Sequence, residues 1–265
     1  MKSHKKTILF CTVFNLFFEY SMRGMYQLIT RPLLFLVILT VYLTLFIMLE
    51  DLITRFRFED KHMILFACCF GTIYPCVISS SPFLVNPWFF GLNLGNLLFV
   101  SIVWWVFFQT LFPLYLARRL FGRDWEHQQL SIIKWMLALL FNVLAIFLIS
   151  LSPATVFGTP LGYITMTVIA SIYALILIRS LKKRNLREDS PVNVEDFHEI
   201  KTLHVLGINS FCLMGFSAII LTFDPIRASS SVVNATALVV IITWTFIIMF
   251  VQMFLLWIRK KRISI

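Results

Sequence analysis

The chain has 265 residues, of which 59% are hydrophobic, 16% aromatic and only 14% charged, with a mean hydropathy of +0.86 and a formal net charge of +10. A water-soluble domain carries about 25% charged residues, so too little polar surface is present here to cover a soluble core. The 28 phenylalanines exclude a disordered chain and the 5 cysteines exclude a disulfide scaffold, which leaves an all-α, polytopic integral membrane protein.

Crossing a hydrocarbon core of about 30 Å takes roughly 20 apolar residues. Helices are the expected form, because lipid offers the backbone no hydrogen-bonding partner and a helix satisfies its own groups. The first expected span, 8–30, follows the basic start Lys2, Lys5, Lys6 and contains Glu19 and Arg23. Such a start also fits a signal peptide, but no small-residue cleavage site follows it. The second span, 33–54, ends at Glu50 and Asp51.

Met63 to Ala117 carries no charged residue or histidine, and is long enough for two crossings, 62–80 and 92–117. They are split by Ser79-Ser80-Ser81-Pro82 and Asn86-Pro87, where proline interrupts helical hydrogen bonding. Trp135 to Ile178 is equally bare and holds spans 132–152 and 159–178, separated at Ser152-Pro153 and Gly158-Thr159-Pro160. The last two spans are 203–223 and 231–258, giving a single membrane domain over residues 1–265.

Lys and Arg in short loops set orientation. With eight spans and a cytoplasmic N-terminus, one side receives Lys2, Lys5, Lys6, Arg55, Arg57, Lys61, Arg118, Arg119, Arg123, Lys134, Arg179, Lys182, Lys183, Arg184, Arg187, Lys201 and Arg259-Lys260-Lys261-Arg262, which is 20 of the 23 basic residues. Both termini are then cytoplasmic. Laying 8–30 in the interface instead leaves seven crossings and an external N-terminus, and divides the 23 basic residues 17 to 6. The positive charge is thereby assigned to loops facing anionic headgroups, and nucleic acid is not an expected partner.

Ionisable groups inside a bilayer are expensive and therefore mark candidate sites. Glu19 and Arg23 share a helical face, either as a polar anchor for a headgroup or neighbouring helix, or as a mutually neutralising pair. Glu50-Asp51-Leu52-Ile53-Thr54-Arg55 resembles the Glu-Glu-x-x-x-Arg motif of the multi-span prenyl-protein and bacteriocin-processing protease family. That resemblance implies paired acids acting with histidines on later membrane helices; the second acid is Asp here, and His62, His127, His198 and His204 fall at span edges. The other reading of the same residues is a charged helix end with i,i+4 pairing.

Asp124, Glu126 and His127 form the densest cluster in a cytoplasmic loop, with Glu195-Asp196-Phe197-His198-Glu199 on the same side. Two such carboxylate and imidazole clusters on one face are candidates for divalent-metal binding or shared acid-base work. The spacing matches no zinc signature, so no metal is expected, and the other reading is solvated, salt-bridged loop faces. Asn142, Asn209, Asn234 and Gln109 lie in or near spans, where amides hydrogen-bond between helices or line a ligand path. Gly91-x-x-x-Gly95 and Gly158-x-x-x-Gly162 predict close packing of the fourth and sixth spans near the outer face. Cys11, Cys68, Cys69, Cys76 and Cys212 all fall within spans and read as buried packing.

No phosphate-binding loop, nucleophile elbow or Lys for a retinal Schiff base is present, and no cofactor is expected. The expectation is a non-enzymatic component of a plasma or bacterial inner membrane, a permease-type subunit or a member of a membrane complex. Its partners would be the lipid bilayer and other membrane subunits. Two alternatives are a membrane enzyme or carrier for a lipid or isoprenoid, in which a hydrophobic ligand is bound, and a selective small-solute transporter.

Overall fold

Among the described residues the apolar runs are realised as helices. A computed structural model describes residues 3–23, 31–78, 89–122, 129–151 and 158–185, with Thr243, Ile247 and Phe250 helical further on. Most of the expected spans 203–223 and 231–258 lie outside the described residues, as do Asp124, Glu126 and His127. Among the described residues there are six helices and no strand: α1 (Ser3–Arg23), α2 (Pro32–Arg55), α3 (Asp60–Ile78), α4, α5 (Ile132–Ser150) and α6 (Pro160–Asn185). Helix α4 consists of three successive segments, Leu94–Asn96, Leu97–Leu111 and Phe112–Phe121. Four stretches, Pro32–Arg55, Leu97–Arg118, Ile132–Ile149 and Pro160–Lys183, are long and apolar enough to cross a membrane.

The chain divides into two compact units, Met1–Thr12 with Val37–Asn193, and Val13–Leu36 with Val194–Ile265. In the described part of the second unit, Phe14, Asn15, Phe18, Glu19 and Tyr20 are buried, and the Tyr20 ring lies 5.9 Å from that of Phe35. The first unit holds α3 to α6 with most of α2, and α3 packs against both α4 and α6.

Local chemistry sets the helix boundaries. Helix α2 opens on Pro32, whose missing N–H costs nothing in a first turn. It ends in a double closure: Phe58 N–H bonds to Ile53 C=O at 2.9 Å and Arg57 N–H to Thr54 C=O at 3.3 Å. Arg57 occupies the left-handed position of this cap at φ 44°, where glycine is the usual residue. Glu59 immediately precedes α3, and the His62 ring reaches back to accept the Glu59 backbone N–H at 3.1 Å, replacing the glutamate of a capping box.

Within α4, Leu97–Leu111 is wound as a π-helix, with backbone bonds spanning five residues. The Thr110 hydroxyl follows the same spacing and donates to Trp105 C=O at 2.8 Å. α-Helical winding resumes at Phe112, next to Pro113, which has no N–H to place in either ladder. This wider helix lies close to α3 because Gly71 has no side chain: a Cβ there would stand 2.5 Å from Val106 Cγ2 and 2.9 Å from Ser101 C=O. Trp105 of this segment packs against Tyr74 at 5.0 Å and Phe70 at 6.0 Å between ring centroids.

The approach of the fourth and sixth spans at their N-terminal ends is present, but by a different device from a shared four-residue glycine spacing. Gly91, at φ +78° in the turn before α4, leaves no room for a Cβ beside Thr159 Oγ1 at 2.5 Å and Gly162 N at 2.7 Å. Gly95 faces only its neighbour Asn93. Leu92, Leu97 and Met166 form a small apolar core at this junction.

Candidate functional site

The polar side chains of the first unit fall into two groups along the helices. The first gathers at the ends that carry the basic loops. Asp51, near the end of α2, has a fully buried side chain. Its Oδ2 accepts from Arg55 Nη2 at 2.9 Å, Arg55 Nε at 3.2 Å and the Trp135 indole N–H at 2.7 Å, while Oδ1 accepts the Leu130 backbone N–H at 2.7 Å. Arg55 Nη2 also donates to Leu130 C=O at 3.0 Å. One carboxylate therefore joins the end of α2 to the start of α5, with every bond charge-assisted and so roughly twice the strength of a neutral one.

Two further contacts bring other helix ends to the same place. Arg118 of α4 pairs with Asp60 at the start of α3 at 3.0 Å, and His62 Nε2 meets Ser180 Oγ of α6 at 3.1 Å. Because His62 Nδ1 accepts a backbone N–H, the ring proton belongs on Nε2, which donates to Ser180. Lys6 lies 6.0 Å from the Phe121 ring centroid, and Phe10 packs edge-on to Phe121 at 5.8 Å, so the basic start of α1 adjoins the end of α4.

The second group lies within the spans. Asn142 of α5 donates from Nδ2 to Thr44 Oγ1 of α2 at 2.6 Å and accepts the Tyr74 hydroxyl of α3 on Oδ1. The Thr44 hydroxyl donates in turn to Thr40 C=O at 2.6 Å. Gln109 of α4 donates from Nε2 to Tyr42 OH of α2 at 2.6 Å. All five of these side chains are buried. Since an unsatisfied polar group in hydrocarbon costs several kcal/mol, these bonds between amides and hydroxyls tie α2 to α4 and α5, and α3 to α5.

Helix α5 shows the consequence. Among its described side chains only Ala138, Asn142 and Ala145 are buried, a narrow seam at helical spacing, whereas Leu137, Leu140, Phe141, Leu144 and Leu148 are exposed. Its attachment rests on small residues that admit a close approach and on the Trp135 and Asn142 hydrogen bonds, about 10 Å apart along the helix at 1.5 Å per residue.

Of the residues singled out in the sequence, Glu50 and Asp51 are both buried beside one another on α2, and Glu19 is buried on α1. Arg23 closes α1, with its side chain outside the described residues. Asn142 and Gln109 both bridge helices, whereas Asn209 and Asn234 lie outside the described residues. Sequence reasoning did not find Tyr42, Thr44 and Tyr74, because a hydroxyl in an apolar run is unremarkable until its partner is known. Nor does residue type pair Trp135 with Asp51, a partnership that depends on three-dimensional placement.

Among the described residues no group of three or more His, Cys, Asp or Glu side chains is arranged to hold a metal ion. The helices are those of a helical membrane protein, with four candidate spans among the described residues. No family model, curated protein or solved structure matches the chain.

Proposed function

We propose that this chain is a multi-pass, non-enzymatic component of a cell membrane, a permease-type subunit or a member of a membrane complex, with eight spans and both termini in the cytoplasm. The observation that carries this reading is the use made of the polar side chains in the first unit. Asp51, Asn142, Gln109, Tyr42, Tyr74 and Thr44 are engaged in bonds between or within helices, which is the chemistry of a scaffold. The basic side of the topology is supported by the convergence of Lys6, Arg55, Arg118 and the start of α5 at one end.

The test is complementation of a gene deletion with membrane abundance measured in parallel. For a scaffold, Asp51→Asn and Asn142→Leu lose activity only as far as they lose protein, and Glu19→Gln and His127→Ala complement fully. Loss of complementation by either of the latter at full abundance would establish a reactive or ligand-binding site and overturn the proposal. Reporter fusions within 118–134 and 179–201 should both read as cytoplasmic, and a split between the two sides would overturn the eight-span topology.

A further inference from the structure

Helix α6 presents one continuous outward face that changes character along its length. Val168, Ile172 and Leu175 are exposed apolar residues, and Arg179, Lys182 and Lys183 follow on the same side, all exposed. At 100° per residue these six positions fall within a strip about 100° wide. Pro160–Lys183 is one of the stretches able to cross a membrane, so the apolar part of the strip is at acyl-chain depth and the cations are at its end. The depth is anchored from the neighbouring side, where Ser180 bonds to His62 in the first turn of α3.

The charges of that end are unevenly matched. Asp51 pairs with Arg55, Glu59 with Lys61 and Asp60 with Arg118. Arg179, Lys182 and Lys183 have no carboxylate partner among the described residues. Like charges three and four residues apart repel, and the negative end of the helix dipole offsets this only in part. A phosphate placed between them removes the repulsion, and an attached acyl chain has the Leu175–Ile172–Val168 strip to lie along.

From this juxtaposition we infer that the C-terminal turn of α6 is a binding site for an anionic phospholipid, with its phosphate held by Arg179, Lys182 and Lys183 and its acyl chain on the apolar strip. The inference rests on Pro160–Lys183 crossing the membrane as proposed above. Each basic residue near a headgroup surface contributes a comparable share of such binding, so the three act as a set.

The experiment uses the full-length protein purified in detergent and compares retained phosphatidylglycerol with phosphatidylcholine by native mass spectrometry. The wild type retains phosphatidylglycerol preferentially, and the triple variant R179Q/K182Q/K183Q loses that preference by tenfold or more. The charge-preserving variant R179K/K182R/K183R retains at least part of it, which separates binding from misfolding. Equal retention of the two lipids, or an unchanged preference in the glutamine variant, overturns the site. Displacement of the lipid by inorganic pyrophosphate at equal concentration overturns the phospholipid in favour of a free-phosphate site. Carbonate extraction of the same proteins from membranes reads the spanning topology separately: release of the wild type would refute the membrane reading itself.

Discussion

The Trp135 indole donates to Asp51 Oδ2 at 2.7 Å, from the first turn of α5 to the last turns of α2. The same oxygen accepts two bonds from Arg55, and the other oxygen holds the backbone of Leu130. Removing the carboxylate therefore strands an indole N–H, a guanidinium and an amide together. Breaking a buried ion pair from one side costs about 3–5 kcal/mol, and the solvent access of Arg55 reduces that here. Asp51→Ala is expected to destabilise by about 2–3 kcal/mol and Trp135→Phe by about 1–2 kcal/mol. The double variant should lose less than the sum, as read from thermal unfolding in detergent; strict additivity would show that the two groups are not coupled.

Asn142 lies between Ala138 and Ala145 in the buried seam of α5 and bonds to both Thr44 and Tyr74. Interhelical bonds of this kind are worth about 0.6–2 kcal/mol in membrane proteins. Asn142→Leu, which keeps the branching at Cγ and removes the polar atoms, should destabilise by about 1–2 kcal/mol and make Tyr74→Phe nearly neutral in its background. A cysteine cross-link between α2 and α5 should form more slowly in the variant, and an unchanged rate would remove the amide from any role in holding α5.

Gly71 admits α4 to within the reach of its own backbone. In Gly71→Ala the new methyl meets the Ser101 carbonyl as well as the Val106 side chain, and the backbone atom cannot rotate away. Overpacking of this kind typically costs about 1–3 kcal/mol. The expected result is a lower unfolding temperature and reduced membrane abundance, with the smaller cut Val106→Ala restoring part of both in the double variant.

Arg57 sits at φ 44° in the cap that ends α2. A left-handed conformation costs a non-glycine residue about 1–2 kcal/mol. Arg57→Gly should relieve it and raise stability by up to about 1 kcal/mol, measured by the same unfolding assay. A loss of stability instead would mean that the arginine side chain contributes more than its backbone strain costs.

The apolar runs by themselves determined that this chain forms helices of membrane length, and located α2, α5 and α6 to within a few residues at most ends. The physical reason is that lipid imposes one requirement, internal hydrogen bonding over about 20 residues, which a continuous greasy stretch meets in only one way. Charge stops a span from being counted but does not stop a helix, which is why α6 continues to Asn185 through Lys182 and Lys183, and why α1 begins at Ser3, before its apolar run. Pairing was decided by the tertiary structure. That Trp135 belongs to Asp51, Asn142 to Thr44 and Tyr74, and Gly91 to Gly162 depends on how the helices are rotated and set in height against one another. Residue type shows that an amide or a carboxylate in a span needs a partner, but the identity of that partner is a property of three-dimensional placement. The π-helical winding of Leu97–Leu111 is of the same kind, since its sequence differs in no evident way from that of an ordinary apolar helix.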